Sequence, residues 1–245
     1  MAKLDNRLAA AVQSFWRTRE KQAKNQGKRT GKKDQGSRTA VTGGAQMDGF
    51  IKLVSALLLE CGLPDATIFC KNKIELPGFF RPTKEWDLLV VADERLIASM
   101  EFKSHIGPSF GNNYNNRTEE AIGNATDLWT AYREGAFQPS PSPWLGYLML
   151  LEETEASLRP VRTVEPHFKV FPDFKDASYA KRYEILCLKL VRERLYNSAC
   201  LILSDRAGGA KGHYKEPNPE IGFQNFVDSL TAHAIAFAKN RNQRL

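Results

Sequence analysis

Trp86-Asp-Leu-Leu-Val-Val-Ala92, Asp93-Glu-Arg95 and Leu96-Ile-Ala-Ser-Met-Glu-Phe-Lys103 follow one another in a chain of 245 residues, and their reading decides the fold. Two apolar runs flank three polar residues of turn chemistry, which predicts an antiparallel hairpin. With Asp93-Glu94-Arg95 as the loop, Ala92 faces Leu96, and counting back along both strands sets Asp87 across from Glu101. Directly opposed Cβ atoms lie about 4.5–5.5 Å apart. Side chains alternate between faces, so Lys103 shares the face of Glu101, while Leu96, Ala98, Met100 and Phe102 point the other way into a core. Two carboxylates and one amine are thereby expected on one face of a sheet.

Two like charges held that close are costly unless a cation neutralises them. A hard divalent ion does so, and Mg²⁺ is typically held by one or two carboxylates plus phosphate oxygens and waters. Such an ion polarises a phosphate and acidifies a water. Lys103 beside it can orient that water and stabilise the charge that builds on phosphorus. The alternative is a surface hairpin in which Glu101 and Lys103 form a simple salt bridge and Asp87 caps a turn.

The flanks add detail. Ser104-His-Ile-Gly-Pro-Ser-Phe-Gly-Asn-Asn-Tyr-Asn-Asn-Arg117 holds four Asn, one Arg and a Tyr, and leads towards a helix expected over about 115–134. Asn pairs bidentately with adenine, and Arg with guanine, in the major groove; backbone amides at a helix start favour phosphate. Ser104, Asn112, Asn113, Asn115, Asn116 and Arg117 are therefore candidate DNA contacts, against the plainer reading of an Asn-rich turn. His105 is a candidate phosphate contact or a hydrogen-bonding group of the loop. Upstream, Arg81 and Lys84 are two cations just before Asp87, placed to meet the same DNA backbone. Lys175, near a helix start, is a further phosphate candidate.

Elsewhere the periodicity predicts helices over about 4–24, 47–61, 178–195 and 221–239, with strands at 66–71, 144–152 and 199–204. Strands flanked by helices, with no break in composition, indicate one α/β domain over residues 1–245, a central mixed sheet between helical layers. The hydrophobic fraction of 42% supports a packed core. Residues 25–44 are polar, glycine-rich and basic, and predict a long loop. The basic segment of about 17–40 carries nine Lys and Arg between Arg17 and Arg38 against Glu20 and Asp34. It is either a solvated loop or an arm along phosphates. The net charge of +7 points the same way.

Other function classes are set aside. No apolar run approaches the roughly 20 residues of a membrane-spanning helix, and the N-terminus lacks a signal-peptide block, so the cytoplasm is the expected location. Cys61, Cys70, Cys187 and Cys200 form no C-x-x-C pair, and His167, His213 and His233 share no ligand spacing with them, which argues against zinc. The Gly208–Gly212 run lacks the full phosphate-loop pattern. Phe168, Phe171 and Phe174 read as core or interface.

With these residues in view, the hairpin is similar to the PD-(D/E)xK nuclease signature, Asp87 standing as the first acidic residue and Glu101-Phe102-Lys103 as the E-x-K. Trp86 replaces the usual proline. More widely, the chain resembles the XhoI-type type II restriction endonucleases. The segments that carry the likeness are Met47-Asp-Gly-Phe50, Gly62-Leu-Pro-Asp65, Arg81-Pro-Thr-Lys84, Glu101 to Asn113, Asn115-Asn-Arg117, Pro166-His-Phe168 and Phe171-Pro-Asp-Phe-Lys175. The resemblance implies a restriction-endonuclease-like fold and a Mg²⁺-dependent homodimer that cuts double-stranded DNA at the palindrome CTCGAG. It also implies a cognate DNA methyltransferase as a genetic partner. A repair or junction-resolving nuclease of the same fold is the alternative. Asp87, Glu101 and Lys103 are then the catalytic residues. The implied metal set is Asp87, Glu101, Asp48 from the preceding helix, and Phe102 in the middle of the triplet. For Asp48 the alternative is an acidic residue favoured by the helix dipole; Glu60, later on that helix, ranks below it.

Overall fold

The structure, a computed structural model, describes residues 2–30, 44–64 and 67–242. Its helices and strands, numbered along the chain, are α1 (Ala2–Thr30), α2 (Asp48–Glu60), β1 (Ile68–Phe69), β2 (Glu75–Pro77), β3 (Thr83–Glu85), β4 (Leu88–Ala92), β5 (Arg95–His105), α3 (Phe110–Arg133), β6 (Trp144–Glu152), α4 (Glu155–Leu158), α5 (Tyr179–Arg192), β7 (Ser198–Ser204), α6 (Arg206–Gly209) and α7 (Phe223–Asn242). Five strands form one mixed sheet in the order β1-β4-β5-β6-β7. The first three pair antiparallel, and β5-β6 and β6-β7 pair parallel. β2 and β3 form a separate small hairpin.

Parallel strands covered on both faces read as continuous apolar runs. β6, Trp-Leu-Gly-Tyr-Leu-Met-Leu-Leu-Glu, is buried at every position. Its alternation divides the core in two. Trp144, Leu148 and Leu150 face α1, α2 and α7, packing with Val12, Phe15, Phe50, Val54, Leu58, Phe226 and Leu230. Leu145, Tyr147, Met149 and Leu151 face α3 and α5, packing with Ala125, Leu128, Tyr183, Leu186 and Leu190. Gly146 lets the Trp144 ring lie flat on the strand, for a Cβ there would stand 2.3 Å from that ring. The result is the α/β domain expected from the sequence, a mixed sheet between helical layers.

Three expectations need correction. α1 runs on to Thr30, so the predicted loop begins later than residue 25; residues 31–43, most of the basic segment beyond the helix, lie outside the described residues, as does Asp65. The β2–β3 hairpin is absent from the expected elements, because strands of three residues show no alternation. The β4–β5 turn has two residues rather than three. Asp93 and Glu94 both have positive φ, 51° and 59°, the signature of the tight hairpin turn whose twist matches the strands. Ala92 therefore pairs with Arg95 and Val91 with Leu96. A bulge at Ile97 then shifts the register, so that Val90 meets Ala98 and Leu88 meets Met100. The bulge restores the frame that puts Asp87 opposite Glu101. It also turns Leu96 onto the α3 side with Leu89, away from Ala98, Met100 and Phe102.

Glu94→Gly removes the Cβ penalty of a left-handed residue, so it is expected to stabilise the protein by about 1 kcal/mol. A rise in the urea midpoint at unchanged slope is the confirming result, and a fall would reject the turn assignment.

Candidate active site

Asp87 enters β4 directly after the buried Trp86. Its amide donates to the Met100 carbonyl at 3.2 Å, extending the ladder by one residue. Its Oδ2 accepts from the Phe102 amide at 2.7 Å, which fixes the carboxylate against β5. The N–H and C=O of a strand residue project to the same edge, so the Phe102 carbonyl faces Asp87, while its side chain is buried in the opposite core.

Glu101 lies on the central strand β5, opposite Tyr147 of β6, with 1% of its surface exposed. A carboxylate so buried must be paired. Lys103 Nζ contacts its Oε2 and stands 3.5 Å from Asp87 Oδ2, bridging the two acids. Lys84 Nζ contacts Oε1. Asn124 Nδ2 of α3 adds a donor at 3.4 Å. Burial would raise the Glu101 carboxyl, but the Lys103 and Lys84 ammoniums outweigh it and hold it below the usual carboxylate range. At Asp87 burial wins over the Lys103 charge and the carboxyl is pushed up. Burial would lower the Lys103 ammonium, yet Glu101 and Asp87 carry it above the usual lysine range. The predicted trio is thus assembled on one face.

Lys84 is a correction. It was expected on the DNA backbone, but the pairing of Leu76 with Lys84 turns it inward onto Glu101. The ammonium also donates to the Glu85 carbonyl at 2.7 Å and lies 4.3 Å over the Trp86 ring. The buried acid needs a second counter-charge, and this hairpin supplies it. Arg81 stays at the surface, 41% exposed, bonded through Nε to Asp127 and through Nη2 to Asn124, each at 2.7 Å.

Of the two readings of His105, the structure takes the hydrogen-bonding one over the DNA contact. The residue shares the face of Lys103 but is 3% exposed. Its Nδ1 meets the Tyr183 hydroxyl at 2.7 Å and its Nε2 the Ser109 carbonyl at 3.1 Å. Burial depresses the imidazole to about 4. It is a neutral, buried residue at the end of β5 that bonds to α5 and to the loop after the strand, not a phosphate contact. Ser104 is half-buried beside it.

The helix expected from about residue 115 begins earlier, at Phe110, and so takes in Asn112 and Asn113 as well as Asn115 and Asn116. Asn112, Asn115 and Asn116 are exposed on its first turns, and Asn113 and Arg117 are half-buried. Arg117 contacts Glu120. Lys175 is exposed after a short helical turn. Phe168 and Phe171 are exposed, which excludes the core reading for both.

Asp48 opens α2, whose buried side chains pack on the other face of the sheet. Among the described residues no three His, Cys, Asp or Glu side chains gather as a metal site, so Asp48 does not join Asp87 and Glu101. Glu60 pairs with Arg7 at 2.9 Å. The four cysteines are free.

Asn124 and Asp127 were missed from the sequence. They are buried polar residues three apart within the apolar stripe of Ala121, Ala125 and Leu128, and a polar pair on such a stripe was the available signal. Asp127 Oδ1 accepts from the amides of Phe79 and Phe80 at 2.7 and 2.8 Å, securing the β2–β3 hairpin to α3.

Fold and site together define a restriction-endonuclease-like α/β protein. The comparisons carry this further. The family model described as restriction endonuclease XhoI matches residues 25–216. Type II restriction enzyme BstVI of Geobacillus stearothermophilus is 54% identical over 211 residues, covering 84% of this chain and 94% of that protein. Type II restriction enzyme XhoI of Xanthomonas vasicola is 48% identical over 193 residues, 78% of this chain and 77% of its own. AbrI of Azospirillum brasilense is 51% identical over 170 residues, 69% of this chain and 76% of its own. No solved structure matches the chain. The chain belongs to the XhoI restriction endonuclease family, and is accordingly a site-specific deoxyribonuclease acting on double-stranded DNA. Among the described residues no helix is long and apolar enough to cross a membrane.

Burial would raise the Asp127 carboxyl, but the Phe80 amide, Arg81 and the Phe79 amide together hold it below the usual range. A depressed carboxyl contributes stability above its unfolded value and loses it as pH falls through the folded one. Asp127→Asn is therefore expected to cost about 2 kcal/mol at pH 7. Its melting temperature should approach that of the wild type as the pH falls below the ordinary carboxylate range and Asp127 takes up its proton. A gap that stays constant with pH would reject the charge-based account.

Proposed function

We propose that this protein cleaves double-stranded DNA at CTCGAG with Mg²⁺ as cofactor, through Asp87, Glu101 and Lys103, as a homodimer whose symmetry matches the palindrome. The observation that carries the catalytic part is the Lys103 ammonium seated between the Asp87 and Glu101 carboxylates across the hairpin.

The donor set fits the ion. Two hard carboxylates already hold a positive charge between them, and hard oxygen donors suit Mg²⁺ better than softer metals. In this reading Asp87 and Glu101, with the Phe102 carbonyl, hold the cation, and Asp48 is left out of the set. Bound Mg²⁺ supplies charge neutralisation for the scissile phosphate and acidity to a water. Lys103 orients the attacking water with one donor and stabilises the charge that grows on the phosphate oxygens with another. The buried carboxylate of Glu101 keeps that ammonium charged and in place. Base reading falls to Asn112, Asn115 and Asn116 on the exposed start of α3, with Arg81, Ser104, Asn113, Arg117 and Lys175 available to the DNA backbone. A cognate methyltransferase would protect the host's own sites. The type II restriction enzymes among the relatives favour site-specific cutting over the junction-resolving alternative.

Purified protein with Mg²⁺ is expected to linearise a plasmid carrying one CTCGAG, to leave a plasmid without it intact, and to lose activity in EDTA. Equal cutting of both plasmids would reject the specificity. Lys103→Ala leaves Lys84 on Glu101, so the fold and DNA binding should persist while cleavage falls by about a hundredfold or more. An unchanged cleavage rate in that variant would remove Lys103 from the chemistry.

A further inference from the structure

The tip of the β2–β3 hairpin, Gly78-Phe79-Phe80-Arg81-Pro82, exposes two large aromatic rings beside the candidate active site. Phe79 is 52% and Phe80 69% exposed. The rings meet edge to face, with centroids 5.0 Å apart. Exposed aromatics on mobile loops are common, but this tip is held rigidly. The amides of both phenylalanines donate to one buried carboxylate, Asp127, which also takes the Arg81 side chain. Gly78 lies so close that a Cβ would stand 2.6 Å from that carboxylate. A buried acid has thus been committed to presenting two phenylalanines to solvent.

The tip is continuous with the site. Lys84, on the returning strand of the same hairpin, contacts Glu101. Arg81 Nη2 donates to Asn124 Oδ1 at 2.7 Å, and Asn124 Nδ2 donates to Glu101 at 3.4 Å, so one side chain joins the tip to the acid. Two hydrogen bonds therefore separate Arg81 of the tip from the acid. Apolar side chains presented to a duplex on a rigid support act as wedges at base steps, unstacking them and bending the helix.

We propose that Phe79 and Phe80 form a wedge that enters the bound duplex beside the cleaved phosphodiester and packs on the faces of unstacked bases. The inference rests on the reading of Asp87, Glu101 and Lys103 as the catalytic centre. Arg81, partly exposed next to the rings, is placed for the flanking phosphate. The wedge reads the deformability of a base step, which no hydrogen-bonding group at the tip is needed to do.

The test uses a duplex that the enzyme cleaves, with 2-aminopurine substituted in turn at each adenine in and beside the site, and binding followed in EDTA. Wild-type protein is expected to raise the fluorescence several-fold at one position at least, as that base leaves the stack. The double variant Phe79→Ala/Phe80→Ala, altered only at exposed positions, should lose this rise and bind about tenfold or more weakly, in the range of losing one base–aromatic contact. Leu59→Ala, an exposed apolar change on α2 at the other face of the sheet, should retain both. Fluorescence that stays flat at every position, or a double variant that keeps the signal and the affinity, would overturn the wedge. A double variant that changes the sedimenting mass of the DNA-free protein would assign the tip to a contact between copies, and would overturn it equally. Failure of the catalytic reading is separately visible: Lys103→Ala would still cleave, whatever the fluorescence shows.

Discussion

Glu101 is held in the central strand of the sheet by two ammoniums, and much of the site's architecture follows from that arrangement. A carboxylate with 1% exposure is expensive to keep ionised unless its oxygens are occupied. Lys103 comes from the same strand and is placed by the period of two. Lys84 comes from a hairpin outside the main sheet, and it reaches Glu101 only because that hairpin is docked. The docking is in turn electrostatic and directional, since Asp127 takes two amides and a guanidinium from the tip. Asn124 closes the circuit by donating to Glu101 and accepting from Arg81. Sheet, hairpin and α3 are therefore tied to one another through polar side chains where most of the surrounding contacts are apolar.

The two faces of the sheet divide the labour. On the side of α1, α2 and α7 the core consists of aliphatic and aromatic side chains, with Phe15, Phe50, Val54, Leu58 and Phe226 almost wholly buried. On the side of α3 and α5 the cluster is interrupted by the buried polar groups Glu101, His105, Asn124 and Asp127. Burying such groups gains little net stability even when every bond is made. The apolar face supplies the surplus that lets the other face carry chemistry. Asp48 begins a helix on the apolar side, which is why a carboxylate conspicuous in the sequence does not reach the pair on the other face.

Most of the fold was legible because its strands and helices are long and strongly patterned: β6 falls on the predicted residues, and α2, α5 and β7 differ from them by a few. The pairing of Asp87 with Glu101 was legible too, although by a route that needed two departures to cancel. A turn one residue shorter than expected moved the register, and the bulge at Ile97 moved it back. No hydrophobic pattern announces a bulge, and Leu96 changed faces as a result. What stayed hidden were features fixed by tertiary partners. The β2–β3 hairpin has strands too short to alternate, and Lys84 looked like a surface cation until a buried acid was seen facing it. His105 had the correct face but not the burial, which Tyr183 and Ser109 create from distant and neighbouring chain.

The Asn-rich run shows how a local misreading alters a functional argument. In a loop, Asn112 and Asn113 would adapt individually to whatever they met. On the first turns of α3 they are set by helical geometry, with Asn112, Asn115 and Asn116 on one exposed surface at three- and four-residue spacing. The same helix carries Asn124, which touches Glu101. Twelve residues separate Asn112 from Asn124, which at the helical rise is about 18 Å. The distance between the exposed asparagines and the buried carboxylate is thus set by one rigid rod rather than by a flexible connection. Positioning groups on such an element holds them more closely than a loop can. For a protein that must act at a defined place relative to the bases it recognises, a fixed separation is the property required. Because Asp127 also sits on α3, the hairpin tip is referenced to the same axis. A displacement of α3 would carry the asparagines, the tip and Asn124 together while Glu101 stays in the sheet, so the Asn124–Glu101 bond is where the helix and the sheet are registered to each other.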